Sequence, residues 1–198
     1  MYLTYTDEQR ALRDELRAYF GTLMTPERIE SLSQGELDGP AYKEIVRQLG
    51  QDGWLGLAWP KEYGGQGRTL LDQYIFFDES QRAHVPVPFL TTNTVGPTIM
   101  AFGTDEQKAF FLPKILKGEL HFSIGYSEPG AGTDLASLKT TAVRDGDHYV
   151  INGQKMWTSL IQHADYLWLA CRTDPDAKRH KGISIIIVPT TAEGFSYT

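Results

Sequence analysis

A single cysteine, Cys171, stands among 198 residues, so the chain can close no internal disulfide and can assemble no thiolate metal site. It lies in the apolar run Tyr166-Leu-Trp-Leu-Ala-Cys171, where a small buried side chain is the expected role. Histidine is sparse as well. His84, His121, His148, His163 and His180 include no pair at helical ligand spacing, and no metal is expected. No apolar run approaches the length of a membrane span, and the opening Met1-Tyr-Leu-Thr-Tyr-Thr-Asp-Glu8 lacks the basic and apolar regions of a signal peptide. A cytoplasmic protein without a membrane span is the expectation. Lys and Arg total 19 against 25 Asp and Glu, for a formal charge of -6. No basic cluster is dense enough to track a phosphodiester backbone, so nucleic acid is not an expected partner. Arg179-His180-Lys181 is too short to change that and reads as a solvated loop tip. There is no internal repeat and no low-complexity tract.

What is present is ordinary for a globular chain: 41% apolar and 22% charged residues, with length enough to bury a sizeable core. Thr6-Asp-Glu-Gln9 is a capping-box pattern, and Leu12, Leu16, Tyr19, Phe20 and Leu23 follow on one helical stripe. Pro26 to Gly39 reads as a connection with a short helical turn. Tyr42, Ile45, Val46 and Leu49 form a second apolar face, ended by Gly50 and Gly53. Lys61-Glu-Tyr-Gly-Gly-Gln-Gly67 is rich in glycine but has neither the preceding strand nor the spacing of a dinucleotide fingerprint. Leu71, Tyr74, Ile75 and Phe77 suggest a helix to about Ala83, interrupted by Pro86 and Pro88. Val95, Ile99, Met100 and Phe102 mark another. Thr104-Asp-Glu-Gln107 is a second capping box leading to Phe110, Phe111 and Ile115, with Pro113 implying an irregularity.

At His121 the period changes. His121-Phe-Ser-Ile-Gly-Tyr126, Thr140-Thr-Ala-Val-Arg144 and Tyr149-Val-Ile151 read as strands, with Asp145-Gly146 and Asn152-Gly153 as turns. Lys155-Met-Trp157 reads as the start of a further strand, and Phe195-Ser-Tyr-Thr198 as another. Tyr166–Cys171 and Ile183–Val188 are apolar enough for central strands. The expected fold is α+β: an all-helical domain over residues 1–118, then an antiparallel, barrel-like β domain over 119–198 that is incomplete at its C-terminal end.

Two stretches draw attention as a ligand cradle. In Ser123-Ile-Gly-Tyr-Ser-Glu-Pro-Gly-Ala-Gly-Thr-Asp134, Gly130 and Gly132 allow close backbone approach and positive φ, and Ser127 and Thr133 add hydroxyls. Successive amides in such a turn suit a phosphate, a thioester carbonyl or the polar edge of an isoalloxazine. In Gly153-Gln-Lys-Met-Trp-Thr-Ser159, an extended chain sets Trp157 and Ser159 on one face, a flat apolar plate beside a donor. On the residues alone, such a run is most often a plain turn, and a lone Trp in a strand most often a core side chain.

Gly125-Tyr-Ser-Glu-Pro-Gly-Ala-Gly-Thr-Asp-Leu-Ala-Ser137 resembles the signature of the acyl-CoA dehydrogenases. Lys155-Met-Trp-Thr-Ser159 resembles their second flavin-contacting segment. Trp59-Pro-Lys-Glu-Tyr-Gly-Gly-Gln-Gly67 and Phe102-Gly-Thr-Asp-Glu-Gln-Lys108 resemble two further characteristic stretches, and the likeness runs along the whole chain. One departure is Tyr126, where the family has a small aliphatic residue. The resemblance implies FAD as cofactor, held by Tyr126, Ser127, Glu128, Pro129, Gly132, Thr133, Trp157, Thr158 and Ser159, with the Ser159 hydroxyl near flavin N5. Thr133 would also meet the thioester end of an acyl-CoA substrate. Glu128 would satisfy loop amides rather than act as base, and Asp134 would cap or brace the turn. The helix carrying Ile99 would line the acyl pocket.

The family's catalytic glutamate belongs to a C-terminal four-helix bundle that this chain lacks, so no catalytic residue is expected in this stretch. The implied activity is α,β-dehydrogenation with electron-transfer flavoprotein or an equivalent acceptor. Thr25-Pro-Glu-Arg28, Pro86-Val-Pro-Phe-Leu90, His121–Tyr126 and Met156–Ile161 look most like actinobacterial enzymes acting on steroid side-chain CoA thioesters, which form heterotetramers with FAD at subunit contacts. A homotetramer, a simple or branched fatty acyl substrate, a non-catalytic partner subunit, and an acyl-CoA oxidase or flavin monooxygenase on the same fold remain alternatives.

Overall fold

The computed structural model describes residues 4–34 and 40–198, which fall into two compact units, Met1–Leu120 and His121–Thr198.

The first unit is helical. Helix α1, Asp7–Leu23, opens at Thr6, whose hydroxyl accepts from Gln9 N while the Gln9 side chain accepts from Thr6 N, as the capping box requires. It buries Leu12, Leu16, Phe20 and Leu23, and Tyr19 lies at the margin of that stripe. The expected connection after Pro26 is instead a helix over nine residues, α2, Pro26–Gln34. Thr25 accepts from Arg28 N at 3.3 Å and Pro26 takes the first helical position, a start signal independent of any apolar stripe. The rest of that stretch, residues 35–39, lies outside the described residues, as do residues 1–3 of the opening segment. Helix α3, Pro40–Gln51, buries Ile45, Val46 and Leu49.

Helix α4, Leu70–Arg82, opens on a capping box of Thr69 and Asp72 and buries Ile75, Phe76 and Glu79. Leu71 and Tyr74, expected on its buried face, are 44% and 56% exposed. A carboxylate lies inward in their place: Glu79 accepts from Arg17 Nε and Nη2 of α1 at 2.8 and 2.9 Å. That bidentate pair joins α1 to α4 beside the Phe20–Phe76 ring contact.

The glycine-rich loop is closed on its own neighbourhood. Gly65 N donates to Pro60 O, Gln66 N to Gly56 O and Gly67 N to Trp59 O. It is a structural loop, and it leaves Trp59 facing inward. The Trp59 indole donates to Thr92 O at 2.9 Å, inside a π-helical turn, Thr91–Val95, that runs directly into α5, Gly96–Phe102. Gly96 is required there, because a Cβ would lie 2.1 Å from Trp59 Cζ2. Val95 and Ile99 are buried as expected, whereas Phe102 is 85% exposed. Helix α6, Asp105–Leu116, starts at the Thr104 capping box and continues through Pro113 rather than breaking there.

The second unit carries one five-stranded sheet: β1 Phe122–Gly125, β2 Thr141–Asp145, β3 His148–Asn152, β4 Tyr166–Arg172 and β5 Ile183–Pro189. Pairing is mixed rather than wholly antiparallel. The β2–β3 and β4–β5 pairs are antiparallel, as short connections dictate, but β1 and β2 each run parallel to β4. The chain between β1 and β4 is long enough to return in the same direction, which local pattern does not reveal. Strand β5 covers one edge of β4 along its whole length, so β1 and β2 share the other. Strand β4 is the buried centre; β5, expected to be central as well, pairs on one side only among the described residues and is half-buried. The Phe195–Thr198 segment is not a strand; Phe195 N turns back to Ala192 O.

The two faces of β4 carry separate clusters. Leu167, Leu169 and Cys171 pack with Ala142 on one, and Ala170 packs with Ala131 and Leu138 on the other. Cys171 is fully buried and its thiol is pushed up by that burial.

Candidate flavin site

Strand β1 delivers the chain to Tyr126, and a tight turn follows. Glu128 N donates to Ala131 O at 2.8 Å and Ala131 N returns to Glu128 O at 3.1 Å, placing Pro129 and Gly130 at the tip. Gly130 and Gly132 do not use the positive φ open to them, and a Cβ at either would meet open space. Thr133 and Asp134 are exposed. The Asp134 carbonyl accepts from Ser137 N and Oγ, while its carboxylate makes no cap. The loop then returns across β4, held by Ala131 and Leu138 against Ala170.

Residues 155–159 are not a strand. Trp157 has φ +58°, in the left-handed region, and Ser159 N turns back to Trp157 O at 3.0 Å. A bulky residue is rarely found there, and such backbone clusters at functional sites. The core alternative for Trp157 is also excluded, since it is 80% exposed. Trp157 and Ser159 therefore do not share a face through alternation; the turn between them sets their relation.

The two segments are stitched together. Met156 N donates to Ser127 O at 2.8 Å, and Ser123 Oγ donates to Ser159 O at 2.9 Å. Between them Lys155 Nζ donates to Tyr126 O at 3.0 Å and to Glu128 Oε1 at 2.8 Å. The Glu128 and Lys155 side chains are only 7% and 8% exposed. Glu128 also accepts from the amides of Lys139 at 2.6 Å and Thr140 at 2.9 Å. Burial pushes its carboxyl up, but the Lys155 ammonium, Thr140 and the Lys139 amide outweigh that and hold it at about 2.

Tyr126 is half-buried against the Ala131–Leu138–Ala170 cluster, and its phenol oxygen accepts from Trp168 Nε1 at 3.2 Å. Ser123, Lys155 and Trp168 are thus site-building residues that sequence reasoning passed over. The one available signal was the opposite charge of Glu128 and Lys155 inside otherwise uncharged stretches.

Among the described residues, the hydroxyls of Ser127, Thr133, Thr158 and Ser159 have no hydrogen-bond partner within the chain. An exposed indole followed directly by two hydroxyl donors, Thr158 and Ser159, suits a planar heterocycle with a polar edge. The Pro129–Gly130 tip instead borders a cavity of about 300 Å³ lined by Glu128, Ser137, Thr140 and Gly153, which Trp157, Thr158 and Ser159 do not line.

Residues 6–119 match the acyl-CoA dehydrogenase N-terminal domain and residues 123–198 the middle domain. The chain belongs to the acyl-CoA dehydrogenase family. It is 69% identical over 204 residues to the acyl-CoA dehydrogenase FadE26 of Mycobacterium tuberculosis, covering all of this chain and 51% of that protein. Against FadE29 of the same organism it is 55% identical over 198 residues, again covering 51% of that protein. Among solved structures, the ChsE4-ChsE5 complex from Mycobacterium tuberculosis superposes with a TM-score of 0.94 at 69% identity, over 100% of this chain and 50% of that one. The Tcur3481-Tcur3483 steroid ACAD gives 0.94 at 60% identity, over 100% and 52%. The chain therefore spans about half the length of the acyl-CoA dehydrogenases it matches. No helix among the described residues is long and apolar enough to cross a membrane.

Proposed function

We propose that the chain supplies the helical and β portions of an FAD-dependent acyl-CoA dehydrogenase subunit that oxidises a steroid side-chain acyl-CoA thioester at its α,β bond. The observation that carries this reading is the exposed, left-handed Trp157, followed directly by the Thr158 and Ser159 hydroxyls and tied to the Ser127 turn through Met156 N on Ser127 O. Bound flavin supplies the hydride acceptor. Trp157 offers an apolar plate to the ring, and the Ser159 and Thr158 hydroxyls donate to its polar edge, where negative charge grows on reduction. Thr133 orients the thioester end of the substrate. Glu128 serves none of these roles: its oxygens accept from Lys139, Thr140 and Lys155, and a carboxyl held at about 2 is a poor proton acceptor. The base belongs to the remainder of the whole protein.

The steroid substrate and a heteromeric assembly draw support from the Tcur3481-Tcur3483 steroid ACAD and the ChsE4-ChsE5 complex. Electron-transfer flavoprotein, or an equivalent soluble acceptor in the cytoplasm, completes the turnover. The two-chain character of the ChsE4-ChsE5 complex favours one second reading, a partner subunit that completes another chain's cofactor site without catalysing. The test is the visible spectrum of the purified full-length protein with its partner, followed anaerobically as a steroid side-chain acyl-CoA is added. A flavin band that bleaches is expected. A band that persists favours the partner-subunit reading or another acyl group, and the absence of any band refutes the flavin assignment.

A further inference from the structure

Trp157 stands in a left-handed conformation with no packing of its own to hold it there, being 80% exposed. The bonds on either side of it do the holding. Upstream, Lys155 Nζ reaches both Tyr126 O and Glu128 Oε1, and Met156 N reaches Ser127 O; downstream, Ser123 Oγ grips Ser159 O. Of these, the ion pair is the one with a built-in anchor, because Glu128 is itself fixed by the Lys139 and Thr140 amides. A buried ammonium with one carboxylate partner has nowhere else to go.

We propose that the Glu128–Lys155 pair is a positioning clamp that keeps the 155–159 turn, and with it the Trp157 indole and the Thr158 and Ser159 hydroxyls, in the conformation that receives the flavin ring. Lys155 is a positioning residue and touches no reacting atom. The conformational half of this inference stands on the chain alone, and the flavin half rests on the function proposed above.

The experiment compares wild type, Lys155→Met, Glu128→Gln and Arg144→Met in the full-length protein with its partner. Arg144 lies on the exposed β2–β3 hairpin, where its Nε donates to Gly146 O, and serves as the control. Hydrogen exchange is read at the Met156 and Ser159 amides and at β4 in flavin-stripped protein, followed by titration with FAD. Lys155→Met is expected to speed exchange at Met156 and Ser159 at least tenfold, to leave β4 unchanged, and to weaken FAD binding at least tenfold, while Arg144→Met does neither. A merely structural lysine would loosen β4 to the same degree, and that result overturns the clamp. So does unchanged protection at Met156 and Ser159. If Lys155→Met fails to assemble, Glu128→Gln decides the matter, since it keeps the shape and one acceptor: faster exchange confined to the turn upholds the clamp, and wild-type protection overturns it. Faster exchange confined to the turn, with no FAD bound by wild type, upholds the clamp and refutes the flavin assignment instead.

Discussion

Replacing Glu128 by Gln should destabilise the β unit in a manner that depends on pH with a known sign. The carboxyl is lowered from the ordinary 4.5 to about 2 because burial, which alone would raise it, is overcome by Lys155, Thr140 and the Lys139 amide. A shift of that size corresponds to about 3 kcal/mol of stability at neutral pH. The folded value is depressed, so the contribution is fully present above the unfolded carboxyl's range and disappears as pH falls through the folded value. The window runs from about 4.5 down to about 2. Urea unfolding of wild type and Glu128→Gln, followed by intrinsic fluorescence, should give a gap of about 3 kcal/mol at pH 7 that shrinks to about half by pH 3. Comparing the two proteins cancels the other carboxylates, which titrate in both. A gap that is constant with pH would refute the electrostatic account and leave only the lost shape of the hydrogen-bonded carboxylate. A gap that widens on acidification would give the shift the wrong sign.

Gly96→Ala should cost the helical unit about 1–3 kcal/mol by overpacking, since the new methyl would meet the Trp59 ring at 2.1 Å, and its melting temperature should drop accordingly. Arg17→Ala leaves the buried Glu79 carboxylate without its bidentate partner and should lower the midpoint of a denaturant titration. Trp157→Gly relieves the left-handed backbone and should hold or raise stability, by up to about 1 kcal/mol, while weakening FAD binding measured by equilibrium titration. Finding both stability and FAD affinity reduced by Trp157→Gly would argue that the indole packs in the fold rather than on the cofactor.

Features written in contiguous residues were legible. The capping boxes at Thr6 and Thr104, the Leu12–Leu16–Phe20 stripe and the Asp145-Gly146 turn each depend on neighbours a few positions away. Helix α2 was not, because Ile29 and Leu32 are too few apolar positions to set a period over its nine residues and its start rests on Thr25 and Pro26. Strand β1's parallel pairing was invisible because its partner, Tyr166–Leu169, is distant, and so was the Trp59 indole that donates to Thr92 O in the π turn at Thr91–Val95. The candidate site divides the same way. Its residues could be named from the run Ser123–Asp134 and from Gly153–Ser159, but the conformation of the second run could not. Alternating Lys155-Met-Trp157 looks like a strand, and only bonds to Ser127 O, Ser123 Oγ and Glu128 make it a turn.

The β2–β3 hairpin meets the rest of the sheet at one register pair, Thr141 with Arg172, reinforced by Arg172 N on Thr140 O at 2.8 Å. Beyond that junction Val143, Tyr149 and Val150 are exposed, and Gly146 rounds a tip that nothing within 4 Å of its missing side chain crowds. Mechanically this is a lever held at its base, where Thr141 pairs with Arg172 and Ala142 and Ile151 pack against β4. Added mass at the tip is carried by the hairpin's own ladder rather than by the strands that hold the cradle. The Gly146–Asp147 turn is therefore the natural place to graft a dye or an affinity peptide.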